Sequence, residues 1–188
     1  IKQLDDLGIG PARKELFMVV GLPNVGKTRC LIHMGKMLAL QRLKVVHISL
    51  EMAAKERVAP LYIQSFFGFA KSSRKIDPHM LFTVSDNGKL VSMESLQLSK
   101  IRTFEDADIK YEITERLDKI RQANIIIKEF PSGHLTMTML HSYLDMLELY
   151  KGFIPDALLI DYPGIMKINP KYKTEELGSI VVELRGLA

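Results

Sequence analysis

The chain has 188 residues, 47% of them hydrophobic, which is material for one domain or for one domain with an appendage. Against 26 Lys and Arg stand 22 Asp and Glu, a net charge of +4 that excludes a histone-like polycation and an acidic disordered tail but not a local basic patch. The single Cys excludes a disulfide framework or a four-thiolate metal site within the chain.

No apolar run approaches the roughly 20 residues of a membrane-spanning helix. The opening IKQLDDLGIG has no apolar secretory region. Both point to a soluble protein of a reducing compartment. The chain begins at Ile and stops inside an apparent amphipathic helix, so a piece of something longer is expected.

In chain order, the apolar run at 16–20 (LFMVV) predicts a buried strand stopping at Gly21. Helical spacing follows over 27–40, then a second strand at 44–49 (KVVHIS) and an apolar helix over 53–69. Residues 71–122 are more polar and read as a helical excursion. Within it a β-hairpin is expected near 81–90, turned by Ser85-Asp86-Asn87-Gly88. A strand at 123–130 ends in Pro131-Ser132-Gly133. The helix over 136–150 carries Met137, Leu140, Leu144 and Leu147 on one face. A strand at 157–161 (ALLID) ends before Pro163-Gly164. A last helix begins near Thr174, a candidate N-cap followed by Glu175 and Glu176. Strands alternating with helices, each strand short and continuously apolar, predict an α/β domain with a mostly parallel central sheet and helices on both faces.

Gly21-Leu22-Pro23-Asn24-Val25-Gly26-Lys27-Thr28 fits G-x-x-x-x-G-K-[ST], between an expected strand and an expected helix. That context makes it a phosphate cradle. Glycines let backbone N–H groups curl around a phosphate, and the helix N-terminus adds partial positive charge. The candidate nucleotide-binding positions are Gly21, Asn24, Val25, Gly26, Lys27, Thr28 and Arg29. Lys27 would reach the β- and γ-phosphates of ATP, and the Thr28 hydroxyl would ligate Mg²⁺.

Turnover also needs carboxylates, one on the Mg²⁺ shell and one to orient or deprotonate water. Asp161 ends the apolar strand ALLID, at the sheet edge where ligands of parallel sheets gather. It is the candidate Mg²⁺ carboxylate. Glu51 follows another strand, in HISLEM, and is either the general base or a solvated strand-end Glu.

The order and spacing of these features resemble the RecA-like motor domain of DnaB-like (superfamily 4) hexameric replicative DNA helicases, tailed-phage members above all. The residues that carry the resemblance are Arg13-Lys14 before the first strand, the P-loop, Ser49-Leu50-Glu51-Met52, and Lys128-Glu129-Phe130-Pro131-Ser132-Gly133. Ile160-Asp161-Tyr162-Pro163-Gly164 and Val182-Glu183-Leu184-Arg185-Gly186-Leu187-Ala188 complete the set. The resemblance covers about 12–188. It implies a RecA-like P-loop ATPase over 16–188, behind a lead-in at 1–15 and truncated on its C-terminal side. It also implies Lys27 and Thr28 on phosphate and Mg²⁺, Asp161 as the Walker B acid, and Glu51 as catalytic base. Pro23-Asn24 and Pro163 depart from the common family residues without removing a required group. The family's γ-phosphate sensor and arginine finger are expected beyond Ala188, so the chain alone should hydrolyse ATP weakly.

In that family, loops after the Walker B strand track single-stranded DNA. Here that loop carries Lys167, Lys171, Tyr172 and Lys173, cations for phosphates and a ring for base stacking. The resemblance further implies a homo-hexameric ring, a primase and a helicase loader as partners, and the cytoplasm of a bacterial or phage-infected cell. Two alternatives are a RecA-like recombination or repair ATPase and a non-translocating loader or regulatory module switched by ATP. The Lys71-Ser72-Ser73-Arg74-Lys75 cluster reads as a solvated loop. The five histidines are scattered without ligand spacing, and Cys30 reads as a small buried group.

Overall fold

The computed structural model describes residues 14–22, 24–68, 79–84, 90–96, 108, 109, 111 and 124–188. Arg13, Pro23, the Lys71–Lys75 cluster and the Ser85–Gly88 turn lie outside the described residues. The chain divides into one unit comprising Ile1–Tyr62 and Gln122–Ala188, and a second comprising Ile63–Arg121.

In the first unit, helix α1 (Lys27–Leu40) leads into strand β1 (Val45–Ser49). A π-helical turn (Ala54–Val58) then runs into α2 (Ala59–Phe67), whose residues from Ile63 on belong to the second unit. After the second unit come β4 (Ile125–Glu129), α3 (Met137–Lys151) and β5 (Ala157–Asp161). Two 3₁₀ turns (Pro163–Ile165 and Pro170–Tyr172) precede α4 (Lys173–Leu187). The sheet order is β4-β1-β5, and both pairings are parallel. All three C-terminal ends therefore share one edge, with Ser49 level with Glu129 on one side and Asp161 on the other.

β1 is the central strand, and all five of its residues are buried. Covered on two faces and paired on two edges, it is built on the β-branched Val45, Val46 and Ile48, with His47 and Ser49 buried among them. Val46, Ile48 and Leu50 face a core built with Leu140 and Leu147 of α3 and Ile180 and Leu184 of α4. Full burial of one such Leu contributes roughly 1.5–3 kcal/mol. On the opposite face, α1 approaches so closely that a Cβ at Gly35 would lie 2.9 Å from Leu159 Cδ1 and collide with Tyr62 Oη.

In the second unit, strands β2 (His79–Val84) and β3 (Leu90–Leu96) pair antiparallel, with a register shift at Thr83/Val84. Ile109 is buried against Ile63 and Phe67.

Three local expectations need correction. The run at 16–20 forms no strand. Leu16, Phe17, Met18 and Val20 stand 37%, 40%, 51% and 87% exposed. No described strand pairs with the run, so its apolar side chains have no sheet surface to bury against. The helix expected over 53–69 opens as a π turn just ahead of Pro60, whose ring crowds the carbonyl four residues back. The ladder widens, and Val58 N donates to Ala53 O, five residues back, at 3.1 Å. The last helix begins at Lys173 and makes no side-chain cap bond, so Thr174 is not its N-cap. The side-chain cap belongs instead to the preceding 3₁₀ turn. Asn169 Oδ1 accepts from Lys171 N at 3.1 Å, and Glu176 Oε2 accepts from Asn169 N at 2.7 Å. Asn before Pro170 is a cap followed by a pre-set first residue.

Candidate functional site

The segment 21–28 enters α1 through Asn24 (φ 62°) and Gly26 (φ 97°), two left-handed residues in succession around Val25. Gly26 occupies the N-cap of α1, and neither a side-chain cap nor an acidic residue in the first turn satisfies the helix N-terminus. This leaves donor N–H groups and the positive end of the helix dipole for an anion. Lys27 folds back over its own loop, its Nζ donating to Gly21 O at 3.0 Å and Leu22 O at 2.7 Å. Gly21, Asn24, Val25 and Arg29 are all exposed along this entry.

Thr28 points toward the sheet edge. Its Oγ1 donates to Asp161 Oδ2 at 2.6 Å, joining residues 133 positions apart. Asp161 is 2% exposed at the end of β5. A hydroxyl and a carboxylate brought together offer only hard oxygen donors, the set that suits Mg²⁺. The uncapped helix start beside them suits the phosphates that accompany it. The residues present therefore fit both ATP and Mg²⁺.

Glu51 lies just past β1, on the exposed side of the same edge. Leu50 N donates to Asp161 O at 2.9 Å, which ties the start of its loop to β5. Three further side chains fix that loop. Ser49 Oγ donates to Met52 O at 2.5 Å, and Ser132 Oγ donates to Leu50 O at 2.6 Å. Glu129 Oε2 accepts from Ala54 N at 2.8 Å. Lys167, Lys171, Tyr172 and Lys173 are all exposed in the segment after β5, and Tyr172 shows 57% of its surface. Cys30 is partly exposed in the first turn of α1.

The spacing of the chain offers no signal for one buried pair. His47 of β1 is fully buried, and its Nδ1 lies 2.8 Å from Tyr62 Oη with the rings edge to face. Burial pushes the imidazole pKa down from 6.5 to about 4, while the Asp161 charge pulls it the other way. Burial likewise pushes the Tyr62 phenol up. The native imidazole is therefore neutral at pH 7. Below pH 6.5 the unfolded chain binds a proton that the native state refuses until about pH 4. Stability contributed by this group is thus present above pH 6.5 and lost as pH falls through that window. From His47 alone, unfolding free energy should drop by about 2 kcal/mol between pH 7 and pH 5. Urea unfolding at both values measures it, and His47→Phe should show the smaller drop. An equal drop in the variant would assign the acid sensitivity elsewhere.

Comparison with known proteins gives this geometry its relatives. The model of the DnaB-like helicase C terminal domain family matches residues 1–188. The chain is 24% identical over 187 residues to the replicative DNA helicase DnaB of Nostoc sp., covering 98% of this chain and 18% of that protein. It is 27% identical over 170 residues to the DnaB-like replicative helicase of Enterobacteria phage T4, covering 88% of this chain and 30% of that protein. The chain thus spans less than a third of each relative's length. Among the described residues no helix is long and apolar enough to cross a membrane. With its parallel sheet, its helices on both faces and its glycine-rich entry to α1, the chain has a RecA-like α/β fold and belongs to the DnaB-like helicase C-terminal domain family.

Proposed function

We propose that residues 16–188, behind a lead-in at 1–15, are the ATPase motor of a replicative helicase. In the full-length protein it would hydrolyse ATP at subunit interfaces of a homo-hexameric ring, translocate on single-stranded DNA and unwind duplex. The observation that carries this reading is the 2.6 Å bond from Thr28 to Asp161. It joins the phosphate cradle to the sheet-edge carboxylate, the pairing a Mg²⁺-nucleotide site requires. Family membership supports the motor and does not favour the recombination or loader alternatives.

The residues then take these roles. Lys27 exchanges its two loop carbonyls for the β- and γ-phosphates. Backbone N–H groups of the 21–28 loop hold the phosphate oxygens, with Asn24, Val25 and Arg29 at its rim. Thr28 and Asp161 hold Mg²⁺, which would neutralise phosphate charge when bound. Glu51 orients the attacking water and takes its proton. Lys167, Lys171 and Lys173 neutralise DNA phosphates, and Tyr172 stacks on a base. Primase and a helicase loader are the further partners, in the cytoplasm of a bacterial or phage-infected cell.

The test is strand displacement from a forked duplex by the full-length protein with ATP and Mg²⁺. Turnover without displacement would return the ATP-switched module, and filaments in place of rings would return the recombination ATPase. Replacing Lys167, Lys171 and Lys173 together by Ala should weaken single-stranded DNA binding. It should also reduce the slope of log affinity against log salt by about 2. A salt titration with a fluorescent oligonucleotide measures the slope, and an unaltered slope would remove the loop from the DNA interface.

A further inference from the structure

The turn after β4 touches two segments to which different roles fall. On one side, Phe130 N donates to Ser49 O at 3.1 Å, and Ser132 Oγ donates to Leu50 O at 2.6 Å. Leu50 is the residue immediately before Glu51. On the other side, Gly133 N donates to Ile165 O at 2.8 Å, and Leu135 O accepts from Lys167 N at 2.8 Å. Lys167 opens the basic loop. The turn is stiff at both ends: Leu135 is fully buried, and Leu50 and Met166 are each 3% exposed. At its middle, Gly133 sits at φ +74°, a conformation that L side chains rarely adopt.

We propose that the 131–135 turn couples DNA contact at 167–173 to the placement of Glu51, with Ser132 as the positioning residue. This rests on the motor reading above. A shift of Lys167 on binding DNA pulls the Leu135 carbonyl bonded to its backbone N–H. Gly133 moves with Ile165, and the Ser132 hydroxyl carries the displacement to Leu50 and hence to Glu51. Hydrogen bonds join adjacent segments and the backbone joins the positions within each, so the route is contiguous. Ser132 is exposed and donates to a backbone carbonyl, so its removal leaves the core intact.

The experiment uses the full-length protein and oligothymidylate as the DNA. Ser132→Ala should leave ATP affinity and DNA affinity within twofold of wild type. DNA-stimulated kcat should fall about fivefold, the effect of one net hydrogen bond. Ser132→Thr, which keeps the hydroxyl, should restore it. A second readout needs no nucleotide. Oligothymidylate should slow amide hydrogen exchange across 50–53 in wild type and leave it unchanged in Ser132→Ala. Full stimulation in Ser132→Ala would overturn the proposal, as would an equal loss of turnover with and without DNA. Wild-type turnover that ignores DNA would instead overturn the motor reading, and the inference with it.

Discussion

Glu51→Gln in the full-length protein is expected to keep nucleotide bound and lose turnover, by about 10²–10⁴-fold in kcat. The amide has the shape of the carboxylate and cannot accept a proton from water. Binding should survive because the groups that would hold phosphate lie elsewhere, on the 21–28 loop, at Thr28 and at Asp161. The loop around Glu51 should keep its path as well. It is fixed by Ser49, Ser132 and Glu129, and by the bond from Leu50 N to Asp161 O at 2.9 Å, none of which uses the Glu51 side chain. Single-turnover measurement with pre-bound ATP separates retention from hydrolysis. Normal turnover would leave Glu51 a solvated strand-end residue and direct the search for the base to another carboxylate.

What could be read in the chain beforehand follows from how local each signal is. The 21–28 loop, β1 and β5 each carry their physics in consecutive residues. Gly26 marks left-handed backbone, and short runs dominated by Val, Leu and Ile mark strands covered on two faces. The same rule misassigned 16–20, because an apolar run declares a need for neighbours without supplying them. Pro60 was visible, but its effect was not, since the crowding by its ring can end a helix or follow a wider first turn. Asn169-Pro170 was a legible cap that the acidic pair after Thr174 obscured. The contacts of His47 with Tyr62 and of Ser132 with Leu50 join residues 15 and 82 positions apart. Neither follows from periodicity, because only the register of β1 and the path of the turn after β4 bring the partners together. The roles proposed for Asp161 and Glu51 rested first on strand ends. Parallel pairing of β1 and β5 puts those ends level, with Ser49 opposite Asp161.

Lys27→Ala is expected to weaken ATP binding by about 10²-fold and to remove measurable turnover. Charge-assisted hydrogen bonds to phosphate are the strong class, each worth roughly 1.5–3 kcal/mol. The ammonium is also the only cation of the 21–28 loop. The fold should not suffer with it. Lys27 Nζ spends its bonds on Gly21 O and Leu22 O, and both residues are exposed, so water takes over those carbonyls when the side chain is cut back. Thermal unfolding should therefore shift little while calorimetric affinity falls, which separates loss of a phosphate contact from loss of the protein. Lys27→Arg should not restore turnover, because a planar fork cannot substitute for a compact ammonium against one phosphate edge. Unchanged ATP affinity in Lys27→Ala would sink the phosphate-cradle assignment. The bond from Thr28 to Asp161 would then be a helix-to-sheet tie and nothing more.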